Sequence, residues 1–324
     1  MGKFALLVGI NYNNTEDQLE GCMNDVYNTK SFLESYLGYT NANIDVLTDD
    51  TPVKPTRNNI LNAIKSLVEK LKPGDEAWFH YSGHAILVKD RNRDEKSGYD
   101  TCICPLDYNN RRTGGVISDD TIRSNLVMKI PSGVKLYVML DACHSGTGCD
   151  LYYKYDDSSF LINKKIKPVT YNSSEWSFRQ TSHEFPNYKI TNGDVFCLSS
   201  SQDNQESADT YIESDQMYGG FFTSTLLSLL KSNDLSTYKW KNLLKDICCI
   251  QRVSEYEQRT TLTSGKYLNT ENAVFSTPVR NFSKPSNFKS TSNKKYIQMK
   301  SNIMNIMNTR NKINKNKMKK MIFM

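Results

Sequence analysis

The sequence predicts an α/β protein with a mainly parallel central sheet of about six strands flanked by helices. Six short apolar runs of strand length alternate with longer segments in which apolar residues recur at helical spacing. Such strand–helix–strand alternation is typical of crossover connections, which pair strands in parallel. The chain has 324 residues, of which 38% are hydrophobic, so it can bury a substantial core.

The predicted strands are bounded by turn-forming or polar residues, as strands of a buried sheet commonly are. They are FALLVGI at 4–10, IDVLTDD at 44–50, EAWFHYSG at 76–83, VKLYVMLDAC at 134–143, DVFCLSSS at 194–201 and QRTTLTSG at 258–265.

Five segments have helical spacing, and the second has the clearest boundaries. In that segment Ile60, Ile64 and Leu67 form one apolar stripe, Thr56 can cap the start, and Pro73-Gly74 ends it. The predicted helices are DVYNTKSFLESYLGY at 25–39, TRNNILNAIKSLVEKLKPGD at 56–75, SDDTIRSNLVMKI at 118–130, GGFFTSTLLSLLKS at 219–232 and STYKWKNLLKDICCIQRVS at 236–254.

Charge is distributed unevenly along the chain. The net charge is +6, but residues 281–324 contain ten Lys, one Arg and no acidic residue, so the rest is about −5. No apolar run approaches the roughly 20 residues of a membrane helix, and the first residues become polar too soon for a signal peptide. We therefore expect a cytoplasmic protein with its eight cysteines mostly reduced.

Two predicted strands end in residues suited to nucleophilic catalysis. EAWFHYSG is followed by His84, and VKLYVMLDAC ends in Cys143. In parallel sheets ligands bind at the carboxyl ends of the strands. A histidine there can take the proton of a thiol, and the thiolate can attack a carbonyl carbon. The alternative is a buried cysteine and a hydrogen-bonded histidine in separate places.

Asp141 favours the catalytic interpretation and predicts a cationic substrate. Side chains alternate along a strand, so Asp141 and Cys143 point to the same face. A buried carboxylate is costly without a cation, and one beside a thiol raises the thiol pKa. Asp25 follows the first strand and lies at the same edge, where Ser82 can add a polar contact. Two acids beside one nucleophile select a Lys or Arg side chain.

Five segments in the expected order resemble signature regions of the metacaspases, the caspase-related cysteine peptidases. YSGHA and DACHSG resemble their His and Cys signatures, and LEGCMNDV resembles their first conserved loop. SGYDTCICPLDY with ISDDTIRS resembles the segment between those signatures, and VFCLSSSQDNQESADT with GGFFTSTLLSLL resembles their small-subunit region. The likeness covers about residues 4–270 and implies a caspase-like sandwich with a type I arrangement.

The resemblance also implies how the chain is divided. Residues 1–151 would form a large-subunit-like catalytic region, and 193–280 a small-subunit-like region of the same domain. Residues 152–192, polar and rich in Ser, Asn, Lys and Tyr, are expected to be an exposed linker. The basic tail at 281–324 has a composition that favours disorder.

Site roles follow from the same resemblance. Cys143 would be the nucleophile and His84 the general base and acid, working as a dyad. The backbone N–H groups of Gly83 and Cys143 would form the oxyanion hole. The residues expected to bind a basic P1 side chain are Asp25, Asp141, Cys22 and Ser82.

The family further implies a calcium site. Its aspartates match four positions here, and hard cations prefer several oxygen ligands. The alternative is a solvated acidic face, since an Asp pair can stabilise a helix N-terminus instead. The matching residues are Asp100, Asp119, Asp120 and Asp150.

The sequence thus predicts a calcium-activated, self-processing and monomeric cysteine endopeptidase that cleaves proteins or peptides after Arg or Lys. The alternative from another class is a catalytically silent caspase-like scaffold. The tail at 281–324 can bind an anionic partner, either nucleic acid or a membrane surface, or can be a plain solubilising segment. The expected self-cleavage sites are in that tail or at Lys164, Lys165, Lys167, Arg179 and Lys189.

Overall fold

Thirteen strands and five helices form in the described part of the computed structural model, which comprises residues 1–92, 98–110, 114–157, 178–182, 190–202, 205–212, 216–254, 256 and 258–275. The strands are β1 (Lys3–Gly9), β2 (Ile44–Thr48), β3 (Glu76–Ser82), β4 (Ala85–Lys89), β5 (Tyr99–Ile103), β6 (Ile117–Ser118), β7 (Lys135–Asp141), β8 (Tyr153–Asp157), β9 (Phe178–Ser182), β10 (Asp194–Ser199), β11 (Asp209–Ile212), β12 (Met217–Gly220) and β13 (Thr261–Ser264). The helices are α1 (Cys22–Leu37), α2 (Arg57–Lys70), α3 (Asp119–Asn125), α4 (Phe221–Ser232) and α5 (Trp240–Val253).

Eight of the strands form one sheet in the order β2-β1-β3-β7-β10-β13-β8-β9. The first five are parallel to one another, and β13, β8 and β9 pair antiparallel. Two smaller sheets, β4-β5-β6 and β11-β12, stand beside it. The predicted α/β architecture with a mainly parallel sheet is therefore confirmed.

Alternation along the strands gives the sheet two buried faces. On β1, Leu6 and Val8 join the cluster that includes Ile60 and Ile64 of α2, whereas Leu7 joins the cluster that includes Phe32 of α1. The second cluster also takes in α4 and α5. Helices thus cover both faces, and the carboxyl ends of the parallel strands remain at one edge of the sheet.

The helix boundaries follow the local signals of the sequence. The Thr56 side chain accepts a hydrogen bond from the Asn59 N–H at 3.4 Å and caps α2, and Ser118 caps α3 through the Thr121 N–H. Helix α1 ends at Gly38, whose φ of 72° is left-handed and is easily adopted by glycine. None of the helices in the described ranges combines the length and apolar character needed to cross a bilayer.

The sheet contains two strands more than the six predicted. Strands β8 and β9 fall within the predicted linker at 152–192, because Tyr and Thr favour strands and β8 pairs with β13 at the end of the sheet. The other linker residues at 158–177 and 183–189, and the whole tail at 281–324, lie outside the described residues. The short strands β4, β5, β6, β11 and β12 were also not predicted, since runs of two to five mixed residues have no clear period.

Candidate active site

Strand register brings the candidate nucleophile and base to the same edge of the sheet. Strands β3 and β7 are parallel neighbours, and Ser82 is paired with Asp141 at their carboxyl ends. His84 and Cys143 each lie two residues beyond that pair. Since adjacent strands are about 4.8 Å apart, this register places the two residues at neighbouring positions on one edge of the sheet. Both residues are half-buried, so a substrate can reach them.

The His84 ring is held by backbone and aromatic contacts. Its Nε2 lies 2.8 Å from the Asp17 carbonyl oxygen, which can only accept, so Nε2 carries a hydrogen. The ring also packs on the ring of Tyr12 with 4.8 Å between their centroids. The Tyr12 hydroxyl accepts a hydrogen bond from the backbone N–H of His84 at 3.0 Å. In the neutral imidazole, Nδ1 is therefore the basic nitrogen. The Asp17 carbonyl thus fixes the orientation of the His84 ring, and this contact could not be predicted from the sequence.

The surroundings of the Cys143 thiol disfavour its thiolate form. Burial raises its pKa above the ordinary thiol value, and the charges of Glu206 and Asp141 raise it further. The Ser207 N–H opposes this shift by donating to Sγ at 3.3 Å. A thiol with a raised pKa is a poor nucleophile until a base removes its proton, so the chemistry of Cys143 depends on a base such as His84.

Asp25 is a buried acid at the start of α1. Its carboxylate accepts the Ser82 hydroxyl at 2.7 Å and the Gly220 N–H at 2.9 and 3.0 Å. Burial, and then the charge of Asp141, raise the pKa of Asp25 well above the ordinary carboxyl value. These hydrogen bonds stabilise the ionised form, but they do not offset its desolvation.

Asp141 is the second buried acid and lies at the N-terminus of α4. It accepts the Thr223 N–H at 2.9 Å, the Thr223 hydroxyl at 2.7 Å and the Ser207 hydroxyl at 2.6 Å. Burial raises the pKa of Asp141 too. A Cβ at Gly220 would lie 2.1 Å from an Asp141 oxygen and 2.8 Å from an Asp25 oxygen, so the two carboxylates flank one narrow space that only glycine leaves open.

Asp209 adds a third acid to this group, which we call the acid pocket (Asp25, Asp141 and Asp209). It accepts the Glu20 N–H at 2.8 Å and the Gly21 N–H at 3.1 Å, and its charge raises the pKa of both other acids. Its Oδ1 is buried without a hydrogen-bond donor. None of the ion pairs among the described residues includes any of the three.

The two remaining pocket residues predicted from the sequence lie next to these acids. Ser82 donates to Asp25, as described above. Cys22 is the first residue of α1 and is buried; burial and then the Asp25 charge raise its pKa well above the ordinary thiol value. The neutral form of this thiol is therefore favoured, and it places a small polarisable group beside Asp25.

The predicted oxyanion donor Gly83 is engaged elsewhere in this structure. Its N–H donates to the Asp141 carbonyl at 3.3 Å, which continues the β3–β7 ladder by one residue. That distance is slightly longer than the usual range for an N–H to oxygen bond, about 2.7–3.2 Å. Donation from Gly83 to a substrate oxygen would therefore replace a weak contact.

The four candidate calcium ligands lie in one region but are not gathered into a ligand set. Burial, and then the charges of Asp119 and Asp100, raise the pKa of Cys102 to about 12, and Asp120 adds to this shift. Asp150 follows the nucleophile loop with a left-handed φ of 46° and is buried. Across the described ranges, no three acidic, histidine or cysteine side chains are placed to hold a metal ion.

Hydrogen bonds nevertheless connect these acids to the nucleophile. The Thr101 N–H donates to Asp119 at 2.7 Å, and the Thr101 hydroxyl donates to the His144 carbonyl at 2.7 Å. Arg123 of α3 donates to the Asp150 carbonyl at 2.5 Å. These hydrogen bonds connect the acidic region to the loop that carries Cys143.

Comparisons with known proteins identify similar sequences. Residues 3–152 match a family model described as metacaspase, peptidase C14 domain. The protein named Metacaspase-1 in Pyricularia oryzae is 34% identical over 300 residues, which cover 84% of this chain and 74% of that protein. Metacaspase-1 of Botryotinia fuckeliana is 33% identical, with 82% of this chain and 68% of that protein covered.

A solved structure supports the fold independently of close sequence similarity. The crystal structure of a protein from Geobacter sulfurreducens superposes with a TM-score of 0.56 at 21% identity, covering 84% of this chain and 97% of that one. The family follows from the two Metacaspase-1 relatives, which are 34% and 33% identical to this chain with 74% and 68% of their lengths covered: the chain belongs to the metacaspase family and is a cysteine endopeptidase.

Proposed function

We propose that this peptidase cleaves after Arg or Lys, and the acid pocket is the observation that carries the proposal. Buried carboxylates are stable only when a cation or several donors meet them. Here burial raises the pKa of Asp25 and Asp141 despite their hydrogen bonds. A guanidinium or ammonium group supplied by the substrate would provide the missing positive charge, and Arg can bind a carboxylate in a bidentate manner.

Catalysis would begin with proton transfer from Cys143 to His84. The Nε2–H of His84 is held by the Asp17 carbonyl, which leaves Nδ1 to accept the thiol proton. The thiolate sulfur then forms a bond to the scissile carbonyl carbon, and the carbonyl π electrons move to the oxygen. The N–H groups of Gly83 and Cys143 would donate to this oxyanion.

Breakdown of the tetrahedral intermediate would use the same histidine as an acid. As the C–N bond breaks, the leaving amine takes the proton from His84, and an acyl-enzyme remains on Cys143. Water, deprotonated by His84, then attacks the thioester and releases the carboxylate product and the free thiol. Both Cys143 and His84 are present, which argues against a catalytically silent scaffold.

Hydrolysis of matched fluorogenic peptides with Arg, Lys or Asp at P1 tests this proposal. We expect cleavage after Arg and Lys and no cleavage after Asp. Cys143→Ala should abolish the activity, since residues of a catalytic unit fail together, with losses of about 10⁴-fold or more. Cleavage after Asp by the unaltered protein would refute the pocket assignment.

We also propose that calcium acts on the acidic region of Asp100, Asp119, Asp120 and Asp150. Four carboxylates in one region are a suitable donor set for this hard cation. Because they are not gathered into a ligand set here, binding requires these side chains to move closer together. The Thr101 contacts to Asp119 and His144 would transmit that change to the nucleophile loop.

We further propose that the protein is self-processing, monomeric and cytoplasmic, and that residues 281–324 bind an anionic partner. Self-processing is supported by the match between the proposed specificity and the basic linker residues. Four of those residues, Lys164, Lys165, Lys167 and Lys189, lie outside the described ranges. Arg179 lies in β9, where it is paired with Asp156 of β8.

A further inference from the structure

Residues 205–208 form a short segment that contacts the nucleophile Cys143 and is held at both ends by hydrogen bonds. The Gln205 carbonyl accepts the His144 N–H at 2.9 Å, next to Cys143. At the other end, the Ala208 N–H donates to Gln258 at 3.0 Å, and the Ala208 carbonyl accepts the Phe221 N–H at 2.9 Å. Ser207 lies between these anchor points.

Ser207 contacts both halves of the site. Its hydroxyl donates to Oδ1 of Asp141 at 2.6 Å, and its N–H donates to Sγ of Cys143 at 3.3 Å. We infer that Ser207 is a positioning residue that links the acid pocket to the nucleophile: the hydroxyl fixes the residue on Asp141, and this holds its N–H against the sulfur. The inference rests on the proposed function only in the role it gives to Asp141.

The two hydrogen bonds of Ser207 allow a change at Asp141 to affect Cys143. The Ser207 hydroxyl has one hydrogen, and an ionised carboxylate is a much stronger acceptor for it than a protonated one. A cation bound in the acid pocket keeps Asp141 ionised and therefore strengthens the bond from Ser207. The N–H is then held where thiolate charge develops, so a correct P1 side chain also favours the reactive form of Cys143.

Variants at Ser207 separate this role from simple packing. Ser207→Ala removes the hydroxyl, and Ser207→Thr keeps it. Ser207→Val matches the threonine variant in shape without the hydroxyl, so the Thr and Val pair gives a second comparison should the alanine variant fold poorly. Thr210→Ala is the matched control, because its hydroxyl contacts Tyr256 and neither Asp141 nor Cys143.

The first readout is the rate at which iodoacetamide alkylates Cys143 as a function of pH, which needs no P1 group. The charged or titratable groups around the sulfur are Glu206, Asp141, Cys104 and His84, and none is altered in these variants. We expect the profile of Ser207→Ala, and of Ser207→Val relative to Ser207→Thr, to move to higher pH by about one unit, or about tenfold slower alkylation at neutral pH. Unchanged profiles in both comparisons would overturn the inference.

The second readout is hydrolysis of a peptide with Arg at P1. Ser207→Ala should lower kcat by about tenfold with a smaller change in KM, because the lost contact acts on the nucleophile, and Ser207→Thr should recover most of kcat. A loss confined to KM would contradict the link. If the unaltered protein fails to cleave after Arg or Lys while the alkylation profiles still shift, then the proposed specificity is wrong and the contact between Ser207 and Cys143 stands.

Discussion

At the scale of single residues, the site combines a half-buried thiol and imidazole with three carboxylates. His84, Cys143 and Asp141 stand out in the sequence because such groups are uncommon at the end of a buried strand, and Asp25 stands out as an acid that follows the first strand. The Asp17 carbonyl gives no sequence signal, since every residue carries a carbonyl and only tertiary folding chooses one. Asp209 and Ser207 were missed for a related reason: SADT is ordinary polar sequence until β11 pairs with β12.

The raised pKa of Asp25 makes a prediction for stability. Because the pKa in the folded state lies above that in the unfolded chain, ionisation of Asp25 favours unfolding, and the free energy of unfolding declines as pH rises through the folded pKa. Asp25→Asn should therefore be more thermally stable than the unaltered protein at pH 8, with the difference shrinking as pH falls toward 4, while cleavage after Arg is lost.

Calorimetry across that pH range checks this. The matched control is Asp45→Asn, which removes an exposed acid that pairs with Lys70. It should lack the pH-dependent gain, because exposed ion pairs contribute little. A gain for Asp25→Asn that is the same at all pH values would contradict the proposed cause.

At the scale of elements, the six predicted strands and five predicted helices all form, because their periods and end signals are strong. The strand expected to reach Cys143 stops at Asp141, since the next residues turn and His144 adopts a left-handed φ of 58°. The β11–β12 hairpin was not expected, although its Gly219-Gly220 end completes the acid pocket. Short mixed strands depend on their neighbours and not on local pattern.

Gly220→Ala tests how closely that hairpin approaches the acids. The added methyl would lie 2.1 Å from an Asp141 oxygen, so the carboxylates must separate, and cleavage after Arg should fall by about 100-fold, or ~2.7 kcal/mol of transition-state binding. Steady-state kinetics with the Arg peptide measures this.

Gly38→Ala is the control for the general cost of a glycine substitution. It meets nothing within 4 Å but is strained by its φ of 72°, so it should cost about 1 kcal/mol of stability without changing cleavage. Equal activity losses in the two variants would show that the acid pocket is not the cause.

The calcium proposal also belongs to this scale, because it couples β5 and α3 to the nucleophile loop. Calcium at about a hundredfold its Kd should raise the Tm by about 5 °C, whereas magnesium should act poorly, being smaller and slow to lose water. Asp119→Ala combined with Asp120→Ala should abolish the shift and lower activity. If a strong chelator leaves both Tm and activity unchanged, these aspartates are a solvated face.

At the scale of the whole molecule, two neighbouring strands of one sheet position most of the site. Strands β3 and β7 end in the pocket residues Ser82 and Asp141, and the base and the nucleophile follow them. Residues far apart in sequence meet there, as when Asp25 of α1 accepts the Gly220 N–H at the start of α4. The family likeness predicted this assembly, because its motifs occur in the right order. Without those motifs, the hydrophobic pattern and the charge distribution would have indicated no more than an α/β protein with a basic tail.

Self-processing is the prediction that involves the whole chain. Incubation with calcium should yield fragments ending at Lys164, Lys165, Lys167 or Lys189, or within residues 281–324, and Cys143→Ala should yield none. Arg179 should be cut more slowly, because its backbone is paired with β8 and a paired strand cannot enter an active site. Mass spectrometry of both proteins decides, and identical fragments would indicate a contaminating protease.

The central claim is that buried acids in this metacaspase recognise a positive charge at P1. The most direct measurement compares kcat/KM for two peptides that differ only in Arg or citrulline at P1, which have nearly the same shape and differ in charge. Loss of a charged partner from a buried acid costs about 3–5 kcal/mol, so we expect the Arg peptide to be preferred by at least about 100-fold. Similar values for the two peptides would contradict the account.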